Sequence, residues 1–123
     1  MKENEITYDI RGAAFKVYNA LGPGLLESVY EHALTHELRK MGHEVKNQVA
    51  IPVTYDETIL DLGFRLDILV DGLVIVEVKS VDQLKDVHHK QLLSYLKLSK
   101  KRIGLLINFN CSDLKSSIIR IIN

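Results

Sequence analysis

Tryptophan is absent from this sequence, cysteine occurs once, and proline and glycine together supply nine of 123 residues. Each scarcity removes a class of protein. The lone thiol, Cys111, has no partner for an internal disulfide, so the core is expected to hold the fold and a reducing cytoplasm is the compartment that fits. So little glycine and proline leaves no material for a linker or a fibrous repeat. No apolar run approaches the ~20 residues that span a bilayer, and the polar start MKENEITYDI does not read as an export signal. No membrane association is expected. An excess of either charge is missing as well. Lys+Arg and Asp+Glu tie at 16 each, which at first argues against nonspecific binding to nucleic acid. What the chain does have is apolar residues, 46% of the total, and residues 1–123 read as a single domain.

From Glu5 to Leu21, Ile6, Ile10, Ala13, Ala14, Val17 and Leu21 recur at intervals of three and four, which predicts an amphipathic helix. Gly22-Pro23-Gly24 breaks it, and a second helix carries Leu25 to Met41 and stops at Gly42. The residue types then change. Gln48 to Tyr55 is rich in β-branched residues, and Leu62–Val70 and Leu73–Lys79 flank Asp71-Gly72, a strong hairpin signal. Helical spacing returns from Asp82 to Ser99, with Gln91 and Tyr95 on its apolar stripe, and Arg102 to Phe109 reads as a strand buried on both faces. The isoleucines of Ser117 to Ile122 predict a last strand. The predicted order is ααβββαββ, a mixed α/β domain.

Charged residues interrupt two of these strands: Asp67, and then Glu77 and Lys79. A buried charge costs several kcal/mol unless it is paired or bound to a metal. Glu77 and Lys79, two apart, share a strand face. Whether Asp67 joins them depends on the hairpin. A two-residue loop would pair Asp67 with Val76 and turn it away. A three-residue loop, written as Val70-Asp71-Gly72 with Gly72 left-handed, or a bulge between Asp67 and Glu77, would bring all three to one face. Two carboxylates and a lysine so gathered suit magnesium, with the ammonium steering a water or offsetting developing negative charge. A structural Glu77–Lys79 ion pair at a sheet edge is the competing reading.

Asp67 with Glu77-Val78-Lys79 resembles the D…E-x-K signature of the PD-(D/E)xK nuclease superfamily. Gly24-Leu-Leu-Glu27-Ser-Val-Tyr30 is similar to the G-x-x-E-x-x-Y string of a small bacterial group assigned to it, and Gln91 and Tyr95 match the Q-x-x-x-Y motif of RecB-like nucleases. Leu66 stands where the superfamily name has proline. The resemblance implies a restriction-endonuclease-like core, a mixed sheet flanked by helices. It also implies hydrolysis of phosphodiester bonds, DNA in preference to RNA, through a water activated by Mg2+ or Mn2+. On that likeness Asp67, Glu77 and the Val78 carbonyl would hold the metal, Lys79 would serve the water, and Glu27 and Gln91 would line the site. Tyr30, Tyr95 and Arg65 would touch substrate. The alternatives are an interaction module that keeps the fold without turnover, and a homodimeric junction endonuclease.

The charge balance also divides along the chain. Residues 1–44 carry net −2, residues 45–79 net −3 and residues 80–123 net +5. Lys97, Lys100, Lys101 and Arg102 are therefore expected to lie along a phosphate backbone, with a partner protein adding to the grip. His32 and His36 lack the H-E-x-x-H pattern and read as surface residues, while His88 falls on the stripe of Gln91.

Overall fold

The computed structural model describes residues 2–61 and 63–123. The elements run α1 (Lys2–Leu21), α2 (Glu27–Lys40), β1 (Val45–Ala50), β2 (Val53–Tyr55), β3 (Thr58–Leu60), β4 (Arg65–Val70), β5 (Val74–Lys79), α3 (Asp86–Ser99), β6 (Ile103–Asn108), a short 3-10 turn at Leu114–Ser117, and β7 (Ile118–Ile122). Both early helices, the hairpin, β6 and β7 fall where the periodicity places them. Two differences have local causes. Pro52 cannot donate to a ladder, so the expected strand from Gln48 to Tyr55 divides there. Its second half folds onto Thr58–Leu60 as a separate two-stranded hairpin around Asp56-Glu57, both at positive φ. The expected start of the next strand at Leu62 lies outside the described residues. The helix expected from Asp82 begins at Asp86, where the Lys85 N–H donates to His88 Nδ1.

Five strands form one sheet in the order β1-β4-β5-β6-β7. β5 and β6 are parallel and joined through α3, whereas every other neighbouring pair is antiparallel. This is a mixed sheet flanked by helices, as a restriction-endonuclease-like core requires. On one face α1 and α2 press Ile6, Ile10, Tyr30, Leu34 and Leu38 against Ile68, Val76, Val78 and Ile107. On the other, Leu92 and Leu96 of α3 cover Leu66, Ile75 and Leu106. Burying each such side chain stabilises the fold by roughly 1.5–3 kcal/mol relative to leaving it exposed. The layers leave β5 in the middle, enclosed on both faces.

Candidate active site

The hairpin decides where the carboxylates meet. Val70 pairs with Val74 and Leu69 with Ile75, so the loop is Asp71-Gly72-Leu73, with Asp71 and Gly72 both at positive φ. Its length is odd, as a shared face requires, although it starts one residue later than Val70-Asp71-Gly72. In the register set by Ile68 and Val76, Asp67 stands opposite Glu77. Side chains take over from the ladder at this point. The Asp67 N–H donates to Glu77 Oε2 at 2.8 Å, and the Val78 N–H donates to Asp67 Oδ2 at 2.9 Å. Each carboxylate therefore satisfies a main-chain donor on the other's strand.

Glu77 is only 3% exposed and Asp67 is half-buried. Burial pushes Glu77 up, and repulsion from Asp67 adds to this, so that it rises to about 8 against the pull of the Asp67 amide and Lys79. Asp67 is raised too, by burial first, with the Val78 amide and Lys79 opposing. Lys79 is half-buried on the same strand, two residues beyond Glu77. Among the described residues no ion pair joins it to either carboxylate. β5 is central, so the competing picture of a Glu77–Lys79 pair at a sheet edge does not hold.

The N-terminus of α2 reaches the same place. Glu27 is its first residue, exposed, and its Oε2 accepts from the Ser80 N–H at 3.2 Å, while Ser80 Oγ donates to the Leu25 carbonyl at 2.6 Å. Tyr30 holds the turn before it. Its hydroxyl donates to the Gly22 carbonyl at 2.6 Å and accepts from the Leu25 N–H at 3.1 Å, and its ring stacks on Phe109 with centroids 4.5 Å apart. The expected substrate contact at Tyr30 is thus corrected. The residue is 0% exposed and shapes the entry to Glu27 from within the core.

Glu31 is the residue that sequence reasoning missed. Its Oε1 accepts from Gln48 Nε2 at 2.9 Å and its Oε2 from Asn47 Nδ2 at 3.2 Å. Burial and repulsion from Asp67 raise it above the usual carboxylate range. Its spacing of four from Glu27, one helical turn on the same face, was the available signal.

From α3, Tyr95 faces the carboxylates. Burial raises its hydroxyl, and Glu77 and then Asp67 raise it further, while its ring lies 6.4 Å from that of Phe64. Gln91, on the same helix, is exposed and, among the described residues, its amide makes no hydrogen bond. His88 lies near Lys79, whose charge lowers it further after burial has done so. Arg65 is exposed and donates to the neighbouring Phe64 carbonyl at 3.2 Å. Lys97, Lys100, Lys101 and Arg102 sit at the far end of α3, beside Ile103, which pairs with Val74. That is the opposite end of β5 from Lys79, roughly 16 Å away by strand rise. They do not join the carboxylates.

Among the described residues no three His, Cys, Asp or Glu side chains converge closely enough to hold a metal. The donor set is narrower: one buried and one half-buried carboxylate on adjacent strands, without a cationic side chain paired to either among the described residues. Such a set fits magnesium, which keeps several waters and takes one or two protein carboxylates.

The sequence profile of the PD-(D/E)XK nuclease superfamily matches residues 4–121. No characterised protein and no solved structure matches the chain significantly. Nucleases of this superfamily generally use divalent metal ions.

Proposed function

The chain belongs to the PD-(D/E)XK nuclease superfamily, and from that premise we propose that it hydrolyses phosphodiester bonds in DNA with magnesium or manganese. The observation that carries this reading is the pair of N–H-to-carboxylate bonds that join Asp67 on β4 to Glu77 and Val78 on the central strand β5, with Lys79 two residues beyond Glu77. Asp67, Glu77 and the Val78 carbonyl would hold the cation. A divalent ion so held supplies a Lewis acid toward the phosphoryl group and acidifies a water that it binds.

The protein's own groups supply the rest. The Asp67 and Val78 N–H groups fix one oxygen of each carboxylate, leaving Glu77 Oε1 and, beside the Gln48 amide, Asp67 Oδ1 for a ligand. The Lys79 ammonium, on the same face as Glu77, orients the attacking water and offsets charge that grows on the phosphate. Glu27, on an exposed helix start beside Ser80, is placed to accept a hydrogen bond from water or substrate. Tyr95 closes one wall, and Gln91, a turn before it, faces outward to substrate. The preference for DNA follows the likeness of Gln91 and Tyr95 to the RecB-like helix motif. Gly24, Glu27 and Tyr30 support placing the chain in the G-x-x-E-x-x-Y group. Arg65 and the basic end of α3 would follow the phosphate backbone away from the cut, with binding that weakens as salt rises.

Asp67→Ala and Glu77→Ala should each abolish cation-dependent cleavage of single- or double-stranded DNA while leaving the far-UV circular dichroism of the fold intact. Residual cleavage equal to the parent's in both variants would sink the assignment. Binding of magnesium with no cleavage of any substrate would favour the interaction module instead.

A further inference from the structure

Gln48 is an outlier inside a strand. Its φ is +51°, in the left-handed region that a non-glycine residue rarely enters in the middle of β1. The β1–β4 ladder pairs Asn47 with Ile68 and Val49 with Leu66, but the Gln48–Asp67 pair between them is missing. The two strands also change faces here. Ile68 packs toward α1 and α2, whereas Leu66 and Val49 pack toward α3. The Asp67 N–H, out of the ladder, donates to Glu77. Meanwhile the Gln48 amide turns outward, donating to Glu31 at 2.9 Å and lying 3.5 Å from Asp67 Oδ1.

Strained backbone of this kind persists where the surroundings over-determine it, and its cost has to be offset by other contacts. An ordinary strand residue at position 48 would permit the ladder to close over Asp67. It would also leave Glu31 and Asp67, two carboxylates that repel, without a shared donor. We infer that Gln48 is a positioning residue: its left-handed backbone opens the ladder at Asp67, and its amide bridges Glu31 and Asp67 in the arrangement that receives the cation. This rests on the functional reading above.

The backbone and side-chain contributions can be separated. Gln48→Gly keeps the left-handed conformation at no steric cost and removes the amide. Its melting temperature should be no lower than the parent's, while Mn2+ affinity, followed by the electron paramagnetic resonance of free Mn2+, should weaken on the order of 10-fold, as loss of a group supporting metal ligands does. Gln48→Val, which resists positive φ, should weaken Mn2+ binding further. A melting temperature that falls in Gln48→Gly with Mn2+ affinity unchanged would mark Gln48 as merely structural and overturn the inference. Parent-like affinity in both variants would overturn it as well. Failure of the parent chain to bind Mn2+ would overturn the functional reading first, and this inference with it.

Discussion

His43 ties three parts of the chain together, and its loss should show as a pH-dependent loss of stability. The ring sits between the α1 residue Asp9, 2.8 Å from Nε2, and the β4–β5 turn residue Asp71, 2.6 Å from Nδ1. Asp71 also accepts from the Glu44 N–H at 2.8 Å. A neutral imidazole can donate from one nitrogen only, leaving a lone pair facing a carboxylate; the imidazolium donates from both. Burial by itself lowers His43, but its hydrogen bonds to Asp71 and Asp9, together with their charge, outweigh this and the pKa is raised. Asp71 is raised by burial and lowered more strongly by His43 and the Glu44 amide, so it ends low. The sign follows. His43 stabilises fully below its unfolded pKa of about 6.5, and this is lost as pH rises through the higher folded value. The Asp71 share is lost only as pH falls through its depressed value. The hydrogen bond to Asp71 is worth about 1.5–3 kcal/mol, and that to the more exposed Asp9 at most ~1 kcal/mol. At roughly 3–6 °C per kcal/mol for a chain of this size, His43→Leu should lower the melting temperature by about 5–24 °C at mildly acid pH. The gap should narrow as pH rises through the ring's raised pKa and the imidazolium loses its charge. Thermal unfolding by circular dichroism across that range tests it. A gap of equal size at both ends would refute the ionic bridge and leave only packing.

Tyr30→Phe keeps the stack on Phe109 but strands the Gly22 carbonyl and the Leu25 N–H; a cost of about 1–3 kcal/mol in urea unfolding is expected, with slower cleavage as Glu27 loses its anchored turn. A higher KM at unchanged stability would instead mean that Tyr30 meets substrate. Gly104→Ala would place a methyl 3.0 Å from Leu92 Cδ1 and 3.1 Å from Cδ2, an overpacking expected to cost about 1–3 kcal/mol. Joined with Leu92→Ala it should cost less than the two changes separately, and strict additivity in the double-mutant cycle would refute the clash.

The parts of the site that could be read from sequence are those that local rules determine. Asp71-Gly72 announces a tight turn, and the need to bring Asp67 and Glu77 to one face required an odd loop, which the Val70–Val74 pairing provides. Pro52 carried its message openly, since a proline inside an otherwise continuous run argues for a break. Gln48 and His43 carried none. A left-handed glutamine and a histidine caught between two acids thirty-four and twenty-eight residues away exist only once distant elements have packed. Gln91 shows where spacing runs out. Its spacing places it on the apolar stripe with Tyr95, yet α3 covers the sheet mainly through Leu92 and Leu96, and its rim, Gln91 and the 62%-exposed Val87 included, stays in solvent.

The same packing explains why the carboxylates lie where they do. A catalytic acid on a loop would be easily solvated and would remain near its ordinary pKa. On β5, the middle strand of five, Glu77 has neither water nor a paired cationic side chain, and Asp67 adds repulsion. The Asp67 N–H and the charge of Lys79 compensate only in part, and an unbroken ladder would have engaged that N–H elsewhere. The opening of the β1–β4 ladder at Gln48 and the splaying of β4 from β5 at Asp67 are therefore linked requirements. Local pairing is given up so that two like charges can be held together, and the apolar layers on both faces of the sheet offset the loss. A divalent cation relieves that repulsion directly. Glu77→Gln, which removes the charge but keeps an acceptor for the Asp67 N–H, should consequently raise the melting temperature of the metal-free fold even as it weakens the site, a separation of stability from function expected where a fold is strained to hold charge; an unchanged or lower melting temperature would refute it.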